Sequence, residues 1–387
     1  MDKNHRRQLR FYRLFRSPVS FIMKSKYRYY SKRLPLQKEP FIVLANHCTG
    51  LDPIFIGCSF SNHVYFVAGE HVLRMGLASR FIKYMFDPII KHKGFTDTAC
   101  IIRIMKTLKQ GKNVCLFAEG NTSFNGETCE IHPTTAKLIK SAALLGASLI
   151  TYKFKGGYLS KPRWADSFRK GKITGNLMSV YSPEDLKKLS EDELNSLIAI
   201  DLYEDAFATQ EKEMVIYKGK NIAMKLESAL YICPKCNEIA TLKSQGNIFS
   251  CKCGFTVTYN EYGFFKGTSI RFKNVLEWDT WQEEQLKLLS STPSDTEIFH
   301  DKNLTLYKLD FNQNSQIIAK GKLSLFSDRL VMDNWEIKVA KIGEIAIHGR
   351  ENLVFSSGKD YFEIKADDFF CARKYYSIFK YLKEKES

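Results

Sequence analysis

The sequence predicts an α/β domain whose mixed sheet is flanked by helices, followed by a small cysteine-bearing ribbon and a β-rich module with a closing helix. Three observations carry this. Between residues 35 and 180, apolar runs of strand length alternate with helical patterns. Four cysteines then form two close pairs between 233 and 253, and from about residue 266 short β-type segments are separated by turn residues. A chain of 387 residues exceeds what one core usually serves, so several domains are expected.

Residues 1–34 form a basic amphipathic segment. Eleven Lys or Arg stand in the first 33 residues against one acid, Asp2, a large share of the formal net charge of +16. Such a charge predicts an anionic partner: nucleic acid, an acidic membrane surface or a phosphorylated substrate. Phe11, Leu14, Phe15, Val19 and Ile22 recur at helical spacing with Arg6, Arg10 and Arg13 on another face, a pattern that suits a helix lying among lipid headgroups. It equally suits a helix packed on the main domain, and Pro18 is expected to interrupt it. No apolar stretch approaches the ~20 residues that span a bilayer. The expected location is therefore cytoplasmic and peripheral, on the inner face of the membrane.

Within 35–180, Phe41–Ala45, Val64–Ala68, Val114–Phe117 and Ser148–Phe154 read as strands, and 98–110 and 134–146 as helices, the second closed by Gly146. Phe41-Ile-Val-Leu-Ala-Asn46-His47-Cys48-Thr49-Gly50-Leu51-Asp52-Pro53 places a histidine at a strand exit and an aspartate five residues on. Asp52-Pro53 also reads as a helix start, with Asp52 as cap. A carboxylate beside the imidazole would fix its tautomer, leaving the other ring nitrogen to accept a proton from a hydroxyl. Glu119-Gly120 after a strand can be an ordinary turn, and Cys48 and Ser123 invite a nucleophile reading that direct transfer makes unnecessary.

Asn46-His47 through Asp52 resembles the first signature of the glycerolipid acyltransferase family typified by 1-acylglycerol-3-phosphate acyltransferases. Phe117-Ala118-Glu119-Gly120-Asn121-Thr122-Ser123 is similar to that family's Phe-Pro-Glu-Gly-Thr-Arg-Ser block. Pro88-Ile89-Ile90-Lys91-His92-Lys93-Gly94 stands where the family has a phosphate-binding Arg, and Leu149–Lys153 is similar to its fourth block. The resemblance spans roughly 35–180, under half of the chain. It implies an O-acyltransferase of phospholipid biosynthesis that moves a fatty acyl chain from acyl-CoA or acyl carrier protein to a hydroxyl of a lysophospholipid, 1-acylglycerol-3-phosphate first among them. Catalysis would fall to His47, Asp52 and Glu119, with Asn46, Lys91, Lys93, Gly120, Asn121 and Thr122 at the substrate. Ala118 replaces the family's Pro, and Thr122 its Arg, which removes a cation from the acceptor site. Two alternatives follow: a catalytically silent lipid-binding protein on this fold, or an acyltransferase for a non-phosphorylated lyso-lipid.

Residues 181–230 read as a helical connector starting at Ser182-Pro183-Glu184. In 231–265, Cys233-Pro-Lys-Cys236 and Cys251-Lys-Cys253 supply the four thiolates of a closed tetrahedral zinc site, hence a zinc ribbon with a structural ion. A redox dithiol is the runner-up, although no redox cofactor is expected. Lys235, Lys243 and Lys252 are too few to make a nucleic-acid stripe, so nucleic acid is not expected as a partner. Residues 266–387, with turn signals at Asn312-Gln313-Asn314, Ser327-Asp328, Asp333-Asn334 and Ser356-Ser357-Gly358 and an amphipathic stripe from Ala372 to Leu382, look like a pleckstrin-homology (PH) or GRAM-type module.

Overall fold

The computed structural model describes residues 3–38, 40–69, 72, 76–91, 98–268, 270–310 and 315–386. Lys93 and the expected turn at Asn312-Gln313-Asn314 lie outside them. The described chain forms two compact units, one reaching to Gly219 and the other made of Trp164–Asp166 and the residues from Lys220 onward.

In the first unit the chain runs α1 (Lys3–Tyr27), β1 (Tyr29–Ser31), β2 (Phe41–Ala45), α2 (Asp52–Ser59), β3 (Val64–Gly69), α3 (Leu77–Phe86), β4 (Ile89–Lys91), α4 (Thr98–Lys109) and β5 (Asn113–Phe117). It continues through α5 (Thr134–Leu144), β6 (Ser148–Lys155), α6 (Gly157–Ser160), β7 (Ile173–Tyr181), α7 (Pro183–Lys188), α8 (Glu191–Leu202) and α9 (Ala206–Glu213). The strands form one mixed sheet in the order β1-β7-β6-β2-β5-β3-β4. Strands β2 to β6 are mutually parallel, while β7 runs against β6 and carries β1 parallel to itself.

All five residues of β2 are buried, as a central parallel strand covered on both faces requires. Its alternation divides them: Ile42 and Leu44 join the core with α4, α5 and α8, whereas Phe41, Val43 and Ala45 join the core with α2. The parallel strands bring the loops after β2, β5 and β6 to one edge of the sheet. Ligand sites of open α/β sheets lie at such carboxyl ends.

Helices of the 181–230 segment pack within this unit. Ser182 caps α7 by accepting from the Asp185 amide, and Ser190 with Glu193 forms a reciprocal cap on α8. Leu186, Leu194, Ile198 and Leu202 project from these two helices into the core around β2, because their spacing gives one apolar face that the sheet covers. Helix α1 is not interrupted at Pro18; it runs on as a single helix of 25 residues. One face packs through Met23 and Val19 on the sheet's core, and Tyr12 donates to the Gly57 and Phe60 carbonyls. These anchors on both sides of Pro18 hold the axis where one backbone bond is missing.

The second unit holds β8 (Leu242–Gln245), β9 (Ile248–Cys251), β10 (Thr256–Tyr259) and β11 (Phe265–Lys266) as a four-stranded antiparallel sheet. Then come α10 (Val275–Leu289), β12 (Phe299–Leu309), β13 (Ser315–Leu325), β14 (Arg329–Met332), β15 (Trp335–Lys338), β16 (Ile345–His348), β17 (Asn352–Ser357), β18 (Asp360–Ala366) and α11 (Ala372–Glu386). The last seven strands form an antiparallel sheet ordered β15-β14-β13-β12-β18-β17-β16. Helix α10 was not expected in a β-rich region. Asn274 accepts from the Glu277 amide to start it, and buried Val275, Trp278, Gln282 and Leu286 follow at helical spacing.

Candidate active site and candidate metal centre

His47 leaves β2 at the carboxyl edge of the sheet, and the loop from it to α2 closes on the Asp52 carboxylate. Asp52 Oδ2 accepts from His47 Nδ1 at 2.8 Å, from the Cys48 amide at 2.7 Å and from the Thr49 amide at 2.9 Å. Its Oδ1 accepts from the Thr49 hydroxyl at 2.9 Å. The side chain therefore folds back over 47–49, and α2 starts with Leu51 as its cap residue without a side-chain cap bond. The expectation that Asp52 caps the helix gives way to a tighter use: four donors hold one fully buried carboxylate beside the imidazole. With Nδ1–H donating to it, Nε2 is left as the basic nitrogen. The imidazole stacks on Phe117 with centroids 4.4 Å apart, which sets the ring plane, and its side chain keeps 21% exposure.

Glu119 follows β5 and faces the same loop. Its Oε1 accepts the His47 amide at 2.6 Å and its Oε2 the Cys129 amide at 2.6 Å. Burial raises its pKa to about 8, against the downward pull of those two amide bonds. Both oxygens are thus occupied by backbone, which makes Glu119 a tie between the β2 and β5 loops. Gly120 has φ +67° in the turn that follows, where a side chain would be strained.

Asn46 is bound twice to β6, donating to the Phe154 carbonyl at 3.0 Å and accepting from the Phe154 amide at 2.7 Å. Its amide thereby fixes His47 relative to β6. Ser123 Oγ accepts from the Gly126 amide at 2.9 Å within a turn, and burial pushes the Cys48 thiol well up, so neither is an activated nucleophile. The Thr122 carbonyl accepts from Arg163 at 3.3 Å, and that guanidinium lies 4.3 Å over the Phe124 ring, so a cation does stand on this loop. Asn121 lies on the same loop, half-buried.

Lys91 ends β4, exposed, and pairs in register with Gly69 of β3. Successive registers, Phe66 with Cys115 and Ala45 with Phe117, put Lys91 roughly level with His47 and Glu119 along the sheet edge. The order β2-β5-β3-β4 separates it from β2 by three strand spacings, roughly 14 Å. A partly open cleft of about 280 Å³ adjoins His47 and Glu119 and is lined by Thr128, Phe154, Gly156, Tyr158 and Glu204. Sequence reasoning missed Cys129 and Glu204, since neither belongs to a recurrent spacing.

In the second unit, the Sγ atoms of Cys233, Cys236, Cys251 and Cys253 all lie within 4.8 Å of one another. The pairs Cys233–Cys253 and Cys236–Cys251 are each 3.7 Å apart. A tetrahedron with zinc–sulfur bonds of ~2.3 Å has edges of ~3.8 Å, so the thiols fit such an ion. Burial would raise the Cys251 thiol, but hydrogen bonds from the Cys253 amide and the Thr241 hydroxyl, the latter at 3.1 Å, bring it down to about 7. Helix α10 braces the first knuckle: Gln282 accepts from the Tyr231 and Ile232 amides, and Trp278 donates to the Ile232 carbonyl.

Residues 26–155 match the family model described as Acyltransferase, about a third of the chain. No curated protein matches the sequence. Among solved structures, the chain is similar to the 1-acyl-sn-glycerophosphate (LPA) acyltransferase PlsC from Thermotoga maritima, at 17% identity over 52% of this chain and 81% of that one, with a TM-score of 0.42. A chain of the 8S snRNP assembly intermediate is similar at 12% identity over 24% of this chain and 87% of that one, with a TM-score of 0.19.

Proposed function

We propose that the acyltransferase domain identified by the match over residues 26–155 moves a fatty acyl chain from a thioester, acyl-CoA or acyl carrier protein, to a hydroxyl of a lysophospholipid. The observation that carries this reading is the imidazole of His47, oriented through Nδ1 by a fully buried carboxylate and free at Nε2 beside a cavity.

His47 Nε2 takes the proton of the acceptor hydroxyl as its oxygen attacks the thioester carbonyl. The tetrahedral adduct collapses with cleavage of the C–S bond. The leaving thiolate recovers the proton from the imidazolium, so the base is regenerated and no covalent enzyme intermediate forms. Asp52 acts through His47, stabilising the imidazolium and its tautomer. Glu119 and Asn46 act one step further out, holding the His47 backbone to β5 and β6.

A phosphorylated acceptor is favoured by Lys91, level with the base on the same sheet edge. Membrane attachment is supported by the outer faces of α1 and α3. Leu14, Phe15, Phe21 and Ile22 on α1 and Leu77, Phe81, Tyr84 and Phe86 on α3 are exposed. The two helices meet where Phe11 packs edge-on against Phe86 and Arg7 donates to the Tyr84 carbonyl. Apolar side chains rimmed by arginines suit an anionic headgroup layer. Among the described residues no helix is long and apolar enough to cross a membrane.

For the second unit, we read the four-stranded sheet with its thiols as a structural zinc ribbon and the seven-stranded sheet with α11 as a PH or GRAM-like module. The ion would be held by Cys233, Cys236, Cys251 and Cys253 and would supply cross-linking, not chemistry. The deciding experiment for the enzyme is a headgroup-resolved acyl-transfer assay with lysophosphatidic acid, lysophosphatidylcholine and a neutral monoacylglycerol. Transfer to the phosphorylated acceptor is expected to dominate. No transfer to any of them with either donor class rejects the function.

A further inference from the structure

Lys155 is the last residue of β6, and the β2–β6 register, with Ala45 opposite Tyr152, carries it level with Cys48, next to the base. Two glycines follow and shape what lies beyond. Gly156 has φ +75°, and a Cβ there would stand 2.3 Å from the Lys172 carbonyl and 2.6 Å from the Tyr217 hydroxyl. A Cβ on Gly157 would stand 2.7 Å from that of Cys48. The turn is therefore pressed between the His47 loop on one side and the Lys172 segment on the other. Neither contact tolerates a larger residue.

Behind this turn is a second cavity of about 270 Å³, lined by Lys155, Lys172, Thr174, Thr209, Glu213 and Tyr217 among others. It shares Gly156 and Ala206 with the cavity at His47, so the two adjoin. Two lysines line it. The side chain of half-buried Lys155 makes no direct hydrogen bond or ion pair among the described residues, although its charge is felt by the Glu204 carboxylate. Lys172 has only a loose contact with Glu213, 3.7 Å away. A half-buried lysine with no direct hydrogen-bond acceptor gains from an anion that supplies one.

From these features we infer that the Lys155–Lys172 cavity is a phosphate subsite, on the β6 flank of the base and opposite to Lys91 on the β4 flank. The ligand class is a phosphate monoester or diester belonging to a substrate, with the two ammonium groups as point-charge donors and the threonine hydroxyls as neutral ones. The inference rests on the acyl-transfer reading only for the origin of that phosphate, acceptor headgroup or thioester donor.

The test separates binding from turnover by using the full chain with His47→Ala. Titration calorimetry with sn-glycerol 3-phosphate, adenosine 3′,5′-bisphosphate and inorganic phosphate is carried out on this parent and on added Lys155→Gln, Lys172→Gln and Lys91→Gln. The subsite predicts that at least one organic phosphate binds and is weakened about tenfold by either Lys155→Gln or Lys172→Gln. Tighter binding of glycerol phosphate assigns the acceptor; tighter binding of the bisphosphate assigns the donor. Unchanged melting temperatures show that the variants fold. Equal affinity of the parent and Lys155→Gln for every probe overturns the inference, as does the absence of binding at millimolar concentration. Failure of acyl transfer in the wild type would reject the reaction and leave this result standing.

Discussion

The Glu119 carboxylate accepts the backbone N–H of His47 at 2.6 Å, so His47 is held by its main chain as well as by its ring. Glu119→Gln offers one oxygen and one NH₂ to two amide donors and leaves either the His47 or the Cys129 amide facing a donor. Above about pH 8, where the carboxylate is ionised, we expect a loss of ~1–3 kcal/mol in stability and a fall in kcat with little change in KM. The pH dependence has a definite sign. The unfolded carboxyl titrates near 4.5 and the folded one at about 8, so the folded chain binds the proton more tightly between those values. The linked stability is fully present below about 4.5 and lost as the pH rises through about 8. The melting temperature of the wild type should decline across this window more steeply than that of Glu119→Gln.

His47→Ala removes the base and little packing, and should lower acyl transfer by ~10³-fold with a native far-ultraviolet spectrum. Asp52→Asn should cost less, ~10–10²-fold. The Cys48 and Thr49 amides will orient the asparagine oxygen toward themselves and His47 Nδ1, while its NH₂ meets the Thr49 hydroxyl, which can accept. The tautomer survives and only the charge is lost. Single-turnover rates of the two variants give the order; a greater loss in Asp52→Asn would contradict it.

Elemental analysis of protein purified under reducing conditions should find about one zinc per chain. All four tryptophans, Trp164, Trp278, Trp281 and Trp335, lie in the second unit, and Trp278 braces the Cys233 knuckle. Chelation should therefore shift the tryptophan emission to the red while acyl transfer persists. Cys236→Ser should do the same without chelator.

Leu14→Glu with Phe21→Glu places charge on exposed positions and should leave the melting temperature unchanged. Partitioning onto phosphatidylglycerol vesicles should fall by at least ~10-fold, since each side chain loses ~1.5–3 kcal/mol of apolar burial in the lipid. Co-sedimentation measures this. Unchanged binding would move the attachment away from α1.

What was legible in the sequence followed from local rules. Phe41–Ala45 is apolar throughout because it is covered on both faces, and Ser182 with Pro183 marks a helix start because both residues answer the unpaired amides of a first turn. His47 and Asp52 are close in sequence, so a short loop could be foreseen to join them. The partners of Glu119 and Asn46 could not be foreseen, because Cys129 and Phe154 come from distant segments and contribute only main-chain atoms, which every residue has. For the same reason the Lys155 cavity, assembled from β6, β7 and α9, leaves no spacing to read. The packing of α7 and α8 on the sheet is hard to read because a charged outer face is conspicuous and the leucines that bind these helices are few.

Strand β1 pairs with β7 in the register Tyr29 to Ile173, about 140 residues later. Synthesis at ~5–20 residues per second delays that partner by ~7–30 s after β1 has been made. Throughout this interval α1 is attached to a strand with no place in a sheet. Closing so long a loop also makes the pairing slow in refolding from denaturant. The nascent chain thus presents its basic, apolar N-terminus well before the sheet can be completed, and capture by a lipid surface at that stage would precede folding of the domain that the helix serves.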